Sequence, residues 1–138
     1  GLSYLYPQST MGAHVSAAPH QQTLRDTPLS TRFNVAAFGV LGYELELKYM
    51  THAELKELRG QIEFYKAHRR TLQFGRFYRF DERKGNKVHW QVSSRDGKEH
   101  IVGHFQKLCT ASEGTRFACT ILSPKRNIIF PASARAFS

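Results

Sequence analysis

Cysteine is nearly absent from this chain: only Cys109 and Cys119 occur among 138 residues. Structural zinc takes four ligands in close pairs, so two thiols ten positions apart do not make such a site. A disulfide across a hairpin is geometrically open to them, and two buried thiols in a reducing compartment is the simpler reading. Long apolar runs are also missing. Nothing approaches the ~20 residues that cross a bilayer, so no membrane partner is expected. The opening stretch Gly1-Leu-Ser-Tyr-Leu-Tyr-Pro7 has no basic region and no apolar core, which argues against a secretory signal. A cytoplasmic location is expected. No Met stands first, as in a chain that begins inside a longer protein.

There is no Gly-rich phosphate loop, no serine nucleophile elbow and no metal-ligand constellation, so neither cofactor nor metal is expected. Acidic residues are few, 11 against 20 lysines and arginines, for a formal charge of +9. Such a balance could suit phosphate backbones. The cations are scattered, however, with Arg69-Arg70 the tightest pair. They read as a solvated surface, and no nucleic-acid partner is expected. What is present is a chain 41% hydrophobic, enough for one small domain or the ends of two.

The first half alternates strand and helix. Thr10-Met-Gly-Ala-His-Val-Ser16 has β-compatible spacing and predicts a strand of about five residues. A polar loop over residues 18–26 follows. Thr27 is a candidate cap and Pro28 a candidate first helical residue, with Leu29, Phe33, Ala36, Ala37 and Val40 on one face. Gly39 and Gly42 should end that helix. Tyr43-Glu-Leu-Glu-Leu47 alternates as a half-buried strand does. Thr51 and Glu54 make a capping box, opening a helix whose apolar stripe is Leu55, Leu58, Ile62 and Tyr65.

From Leu72 onward the pattern becomes all-β. Strands are expected over residues 72–80, 88–92, 101–105, 116–122 and 127–130, with turns at Lys84-Gly-Asn86, Arg95-Asp-Gly97, Ser112-Glu-Gly114 and Ser123-Pro124. They predict an antiparallel module. Two strand–helix units cannot close a parallel barrel alone, so the first half calls for further strands upstream.

Several residues invite chemistry. His14, near the end of the first strand, is either a structural histidine or a ligand at a barrel mouth. His20, Gln21 and Gln22 form either a polar loop or a set of hydrogen-bonding groups for sugar hydroxyls. Glu44 and Glu46 share one strand face, as positions i and i+2 do, and read as solvent-facing acids beside Lys48 rather than a glycosidase pair. Trp90, with Phe74, Phe77, Tyr78 and Phe80, is either core or a stacking platform.

The segments Met11-Gly-Ala-His-Val-Ser16, Leu41-Gly-Tyr-Glu-Leu-Glu-Leu47, Tyr65-Lys66, Gly75-Arg-Phe-Tyr-Arg79, Trp90 and Val92-Ser93 occur in an order and spacing that resemble the C-terminal part of glycoside hydrolase family 36, the bacterial α-galactosidases or melibiases. The likeness runs over roughly residues 1–107. It implies an α/β end of a (β/α)8 TIM barrel in residues 1–71, followed by an all-β antiparallel, sandwich-like C-terminal domain in 72–138. It also implies hydrolysis of terminal α-linked galactose from melibiose- and raffinose-type oligosaccharides with retention. Two aspartates carry that reaction in the family, in upstream motifs that have no counterpart here. The chain alone is therefore expected to be inactive, with no catalytic residue of its own. A full-length homo-oligomer without cofactor or metal is implied. The candidate substrate-binding residues are His14, His20 and Gln21, the family's usual Pro-Asn-His-Gln standing here as Pro19-His-Gln-Gln22. Arg25 and Arg32 match family arginines and are expected to anchor loops. The alternative function is a non-catalytic carbohydrate-binding or assembly β-module.

Overall fold

A computed structural model describes residues 2–81, 86–106 and 127–129. Strand β1, Gly12–Ser16, is followed by helix α1, Leu29–Ala36, strand β2, Val40–Glu44, and helix α2, His52–Phe74. Strands β3, Arg76–Asp81, β4, Lys87–Ser93, β5, Glu99–Gln106, and β6, Asn127–Ile129, come after. β1 and β2 pair in parallel, from Gly12 opposite Val40 to Ser16 opposite Glu44. The connection between them is α1, as a parallel pair requires a crossover.

α1 opens differently from expectation. Pro28 is its cap residue, and no side chain caps it. The helix stops at Ala36–Ala37, and the next strand starts at Val40 rather than Tyr43. Gly39 and Gly42 look like stop signals in sequence, yet Gly42 sits inside β2. The His14 ring crosses its bare Cα there, and a Cβ would lie 2.5 Å from His14 Cδ2. The glycine serves close approach, not helix termination.

α2 opens with the expected box. Thr51 Oγ1 accepts from the Glu54 N–H at 3.3 Å, and the Glu54 carboxylate accepts from the Thr51 N–H at 2.8 Å. The helix runs 23 residues and ends where Gly75 N–H donates to the Thr71 carbonyl. Leu72–Phe74, expected to begin a strand, form its last turn. Leu72 is almost fully buried, and helix burial there wins over the β-like pattern Gln73-Phe-Gly75.

β3, β4 and β5 are antiparallel neighbours, whereas β6 pairs with β5 in parallel, which departs from a purely antiparallel module. The strand expected over 116–122, the turns at 112–114 and 123–124, and both cysteines lie outside the described residues. The core gathers Val15, Leu29, Phe33, Ala36, Ala37, Phe38, Tyr65, Leu72, Val92 and Ile101. Phe38 joins the two sheets: its ring lies 5.4 Å from Trp90, 6.1 Å from Phe77 and 6.2 Å from Phe105, all edge-on. Trp90 is thus a packing residue, and its ring is committed to the core.

Candidate functional site

The parallel strands β1 and β2 direct their C-terminal ends to one side, and the residues after them make the mouth of a groove. Alternation decides which side chains point where. Ala13, Val15, Leu41 and Tyr43 turn to the helices and the core. His14 and Glu44 turn the other way and remain half-exposed or more, with His14 Nδ1 3.4 Å from a Glu44 carboxylate oxygen. Tyr43 is anchored behind the sheet, donating to the Gln61 side-chain carbonyl at 3.1 Å. Burial, with the Glu57 charge adding to it, pushes its hydroxyl up to about 12. Tyr65 fixes β2 from the helix side, since its hydroxyl donates to the Gly39 carbonyl at 2.7 Å and accepts from the Leu41 N–H at 3.1 Å.

At the mouth, a groove of about 590 Å³ lies between the loop after β1 and the loop after β2. Ser16, Ala17, Ala18 and Gln21 line one wall, and Glu44, Leu45, Glu46, Tyr49 and Met50 the other. Leu29, Arg32 and Glu54 contribute from the first turns of the helices. Arg32 braces this arrangement: its Nε donates to the Thr27 carbonyl at 2.8 Å, and its Nη1 donates to the Ser16 carbonyl. The arginine therefore anchors the loop through two backbone carbonyls. Glu46 pairs with Lys48 at 2.8 Å, and the carboxylate beside it and the Tyr49 hydroxyl hold the Lys48 ammonium above its ordinary value. The Thr51 N–H and hydroxyl hold the Glu54 carboxyl below its ordinary value.

The three candidate residues part company. Gln21 lines the groove. His14 stands on the open sheet face beside it. His20 is turned to its own loop, where Nδ1 accepts from the N–H groups of Gln22 and Thr23 at 3.2 and 3.3 Å. That makes His20 a turn-builder, with one ring nitrogen already used. Tyr49 went unnoticed in the sequence. It is 76% exposed at the groove, where the loop after β2 faces the loop after β1. Among the described residues, no group of three or more His, Cys, Asp or Glu could hold a metal. No helix among them is long and apolar enough to cross a membrane.

Comparison with known proteins meets this geometry. The melibiase family model matches residues 1–75. Alpha-galactosidase AgaA of Geobacillus stearothermophilus is 43% identical over 113 residues, 81% of this chain and 16% of its own length. Alpha-galactosidase 1 of Pediococcus pentosaceus is 41% identical over 92% of this chain and 18% of its own. The chain thus spans less than a fifth of the curated relatives it matches. The crystal structure of the alpha-galactosidase from Lactobacillus brevis superposes with a TM-score of 0.83 at 47% identity, covering 88% of this chain and 17% of that one. AgaA from Geobacillus stearothermophilus superposes at 0.77, and variants of it have been solved in complex with raffinose and with stachyose. The family model covers more than half of the chain, and this chain belongs to the melibiase family, glycoside hydrolase family 36.

Proposed function

We propose that the chain is the C-terminal portion of an α-galactosidase that removes terminal α-linked galactose from melibiose- and raffinose-type oligosaccharides with retention. The observation that carries this reading is the open face of β1 and β2. A two-stranded parallel sheet covered by helices on one side and bare on the other is what the last two units of a (β/α)8 barrel look like by themselves. In this reading residues 1–71 end the barrel and 72–138 form the sandwich domain, with the last turn of α2 running past that boundary. The nucleophile and the acid/base are aspartates on other strands, and the present residues wall the mouth. His14 and Gln21 are the substrate-facing candidates, and His20 supports their loop. The complete enzyme acts without metal or cofactor, as a cytoplasmic homo-oligomer.

The acids at the mouth support assigning the chemistry elsewhere. Glu44 is beside His14 and Glu46 holds Lys48, so neither carboxylate sits in the apolar setting that raises a catalytic acid. The carbohydrate-binding alternative relied on Trp90 as a platform, and that ring packs against Phe38, Phe77 and Phe105. The test is an assay of raffinose hydrolysis by the pure chain and by the complete protein that carries it. Turnover is expected from the complete protein alone. Measurable galactose release by residues 1–138 would overturn the assignment of catalysis to other strands.

A further inference from the structure

Two strand segments of the second half carry a histidine at matching distances from their shared turn: Val88-His-Trp-Gln-Val92 before it and Ile101-Val-Gly-His-Phe105 after it. The pairing of β4 with β5 sets His89 directly opposite His104. Alternation puts both side chains on the sheet face turned away from Phe38, whose partners Trp90 and Phe105 lie on the other face. The two Nδ1 atoms are 3.1 Å apart, and the rings are tilted by 38° with their centroids 4.5 Å apart. One Nδ1 carries the hydrogen and the other accepts it.

The scaffold under this pair is fixed from two sides. The Ser94 N–H donates to the Glu99 carbonyl and the Gly97 N–H to the Ser94 carbonyl, each at 2.9 Å, which closes the turn between β4 and β5. On the opposite face Phe38 lies so near Gly103 that a Cβ there would stand 2.8 Å from its ring. The register cannot slip, and the part-buried imidazoles are presented in a set relation. Metal–imidazole bonds are about 2.0–2.1 Å long, so two nitrogens on one ion stand about 2.9 Å apart at a right angle and about 3.3 Å apart at the tetrahedral angle. The observed 3.1 Å falls between these. The register neighbours on that face are Lys87 and Gln106, Gln91 and Val102, and Phe80 on β3. None of them is a carboxylate, which disfavours hard cations such as Ca2+ and Mg2+. Imidazole nitrogens suit Cu2+, Ni2+ and Zn2+.

We propose that His89 and His104 form a two-histidine chelate for a divalent transition-metal ion, with Cu2+ held most tightly and water in the remaining positions. The ion takes the place of the shared hydrogen, which moves to Nε2 of its own ring, so both rings ligate as neutral imidazoles. It ties β4 to β5 and supplies no step of hydrolysis. The inference stands independently of the α-galactosidase reading. It is tested by adding copper sulfate to the complete protein that carries the chain, after treatment with a chelator. Calorimetry counts the Cu2+ equivalents bound, and electron paramagnetic resonance reads the nitrogen splitting. One equivalent should show two imidazole nitrogens, and both His89→Phe and His104→Phe should lose it. The double variant should lose that one equivalent and no more, because a chelate fails when either arm is missing. Unchanged uptake in either single variant, or a double-variant loss equal to two separate single losses, would overturn the chelate. Melting temperatures without copper show which variants fold. Where a Phe variant does not fold, the Gln variant at the same position is counted in its place.

Discussion

The two sheets differ in how many of their faces are covered. In the parallel pair, Val15 is fully buried against the helices, while His14 and Glu44 on the opposite face are open. In the second sheet, β4 and β5 are buried on both sides: Val92 and Ile101 on one, Gln91, Ser93, His100 and Val102 on the other. The lesson is about what each sheet needs to be finished. A parallel sheet is normally dry on both faces, so the bare one is an unfilled place in the packing. The second sheet has its polar side chains satisfied internally in part, Gln91 and His100 each bonding the Ser93 hydroxyl at 2.9 and 2.8 Å.

That contrast is broken most severely at its hinge. Phe38 is 4% exposed and packs edge-on against Phe77, Trp90 and Phe105 between the two sheets. Phe38→Ala should cost about 3–5 kcal/mol, since it removes the ring and leaves a cavity. His14→Ala, on the open face, should shift stability by no more than about 0.5 kcal/mol. Urea unfolding of both variants measures the pair. Comparable losses would mean that the open face is packed in solution.

Two glycines sharpen the comparison at smaller scale. A Cβ on Gly75 would stand 2.5 Å from the Thr71 carbonyl oxygen and 2.6 Å from that of Ser93. Both obstacles are backbone, in the helix end and in β4, and neither can swing aside. A Cβ on Gly42 meets a half-exposed imidazole ring that can turn into solvent. Gly75→Ala should therefore cost about 1–3 kcal/mol, and Gly42→Ala a few tenths. The difference in melting temperature between the variants is the readout, and reversed order would refute the account of the two environments.

The same contrast explains which features were legible in the sequence. Local rules served well where the reason for a residue is local: the Thr51–Glu54 box, the strand around His14, and the turn at Arg95-Asp-Gly97, where Gly97 takes a φ of 67°. They failed where the reason lies in a neighbour. Gly42 is set by the His14 ring across the sheet, and Leu72–Phe74 stay helical because Leu72 fills the core. Gln61 is 7% exposed on a helix face that the Leu55–Leu58–Ile62 stripe would leave wet, because Tyr43 reaches it from β2. At the mouth, Gln21 and Glu46 in the loops and Glu44 at the end of β2 could be nominated from strand ends alone. Tyr49 could not, since its exposure and its place across from Gln21 arise only when the two loops meet.

At the start of α2 the expected effect is local and solvent-facing, well below that of Phe38→Ala. Thr51 Oγ1 satisfies one helix-end N–H, and Glu54 reaches back to the Thr51 N–H, so Thr51→Ala should cost about 1 kcal/mol. The pH dependence follows from the Glu54 carboxyl, which bonds donated by the Thr51 N–H and the Thr51 hydroxyl hold below its ordinary value. In the unfolded chain the carboxyl binds its proton more readily. Its contribution is therefore complete above the ordinary value of 4.5 and is lost as pH falls through the lowered folded value. Raising pH beyond that window should add nothing. In Thr51→Ala the two bonds from the threonine side reduce to the backbone one, so the folded value moves back toward 4.5 and the acid loss becomes smaller and is complete at a higher pH. The gap between the stability curves of the unchanged chain and the variant should narrow in acid, to what the bond from the Glu54 N–H contributes, and widen toward neutrality. A gap of constant size across that range would mean that the threonine acts only through its own oxygen, with the Glu54 half of the box contributing nothing.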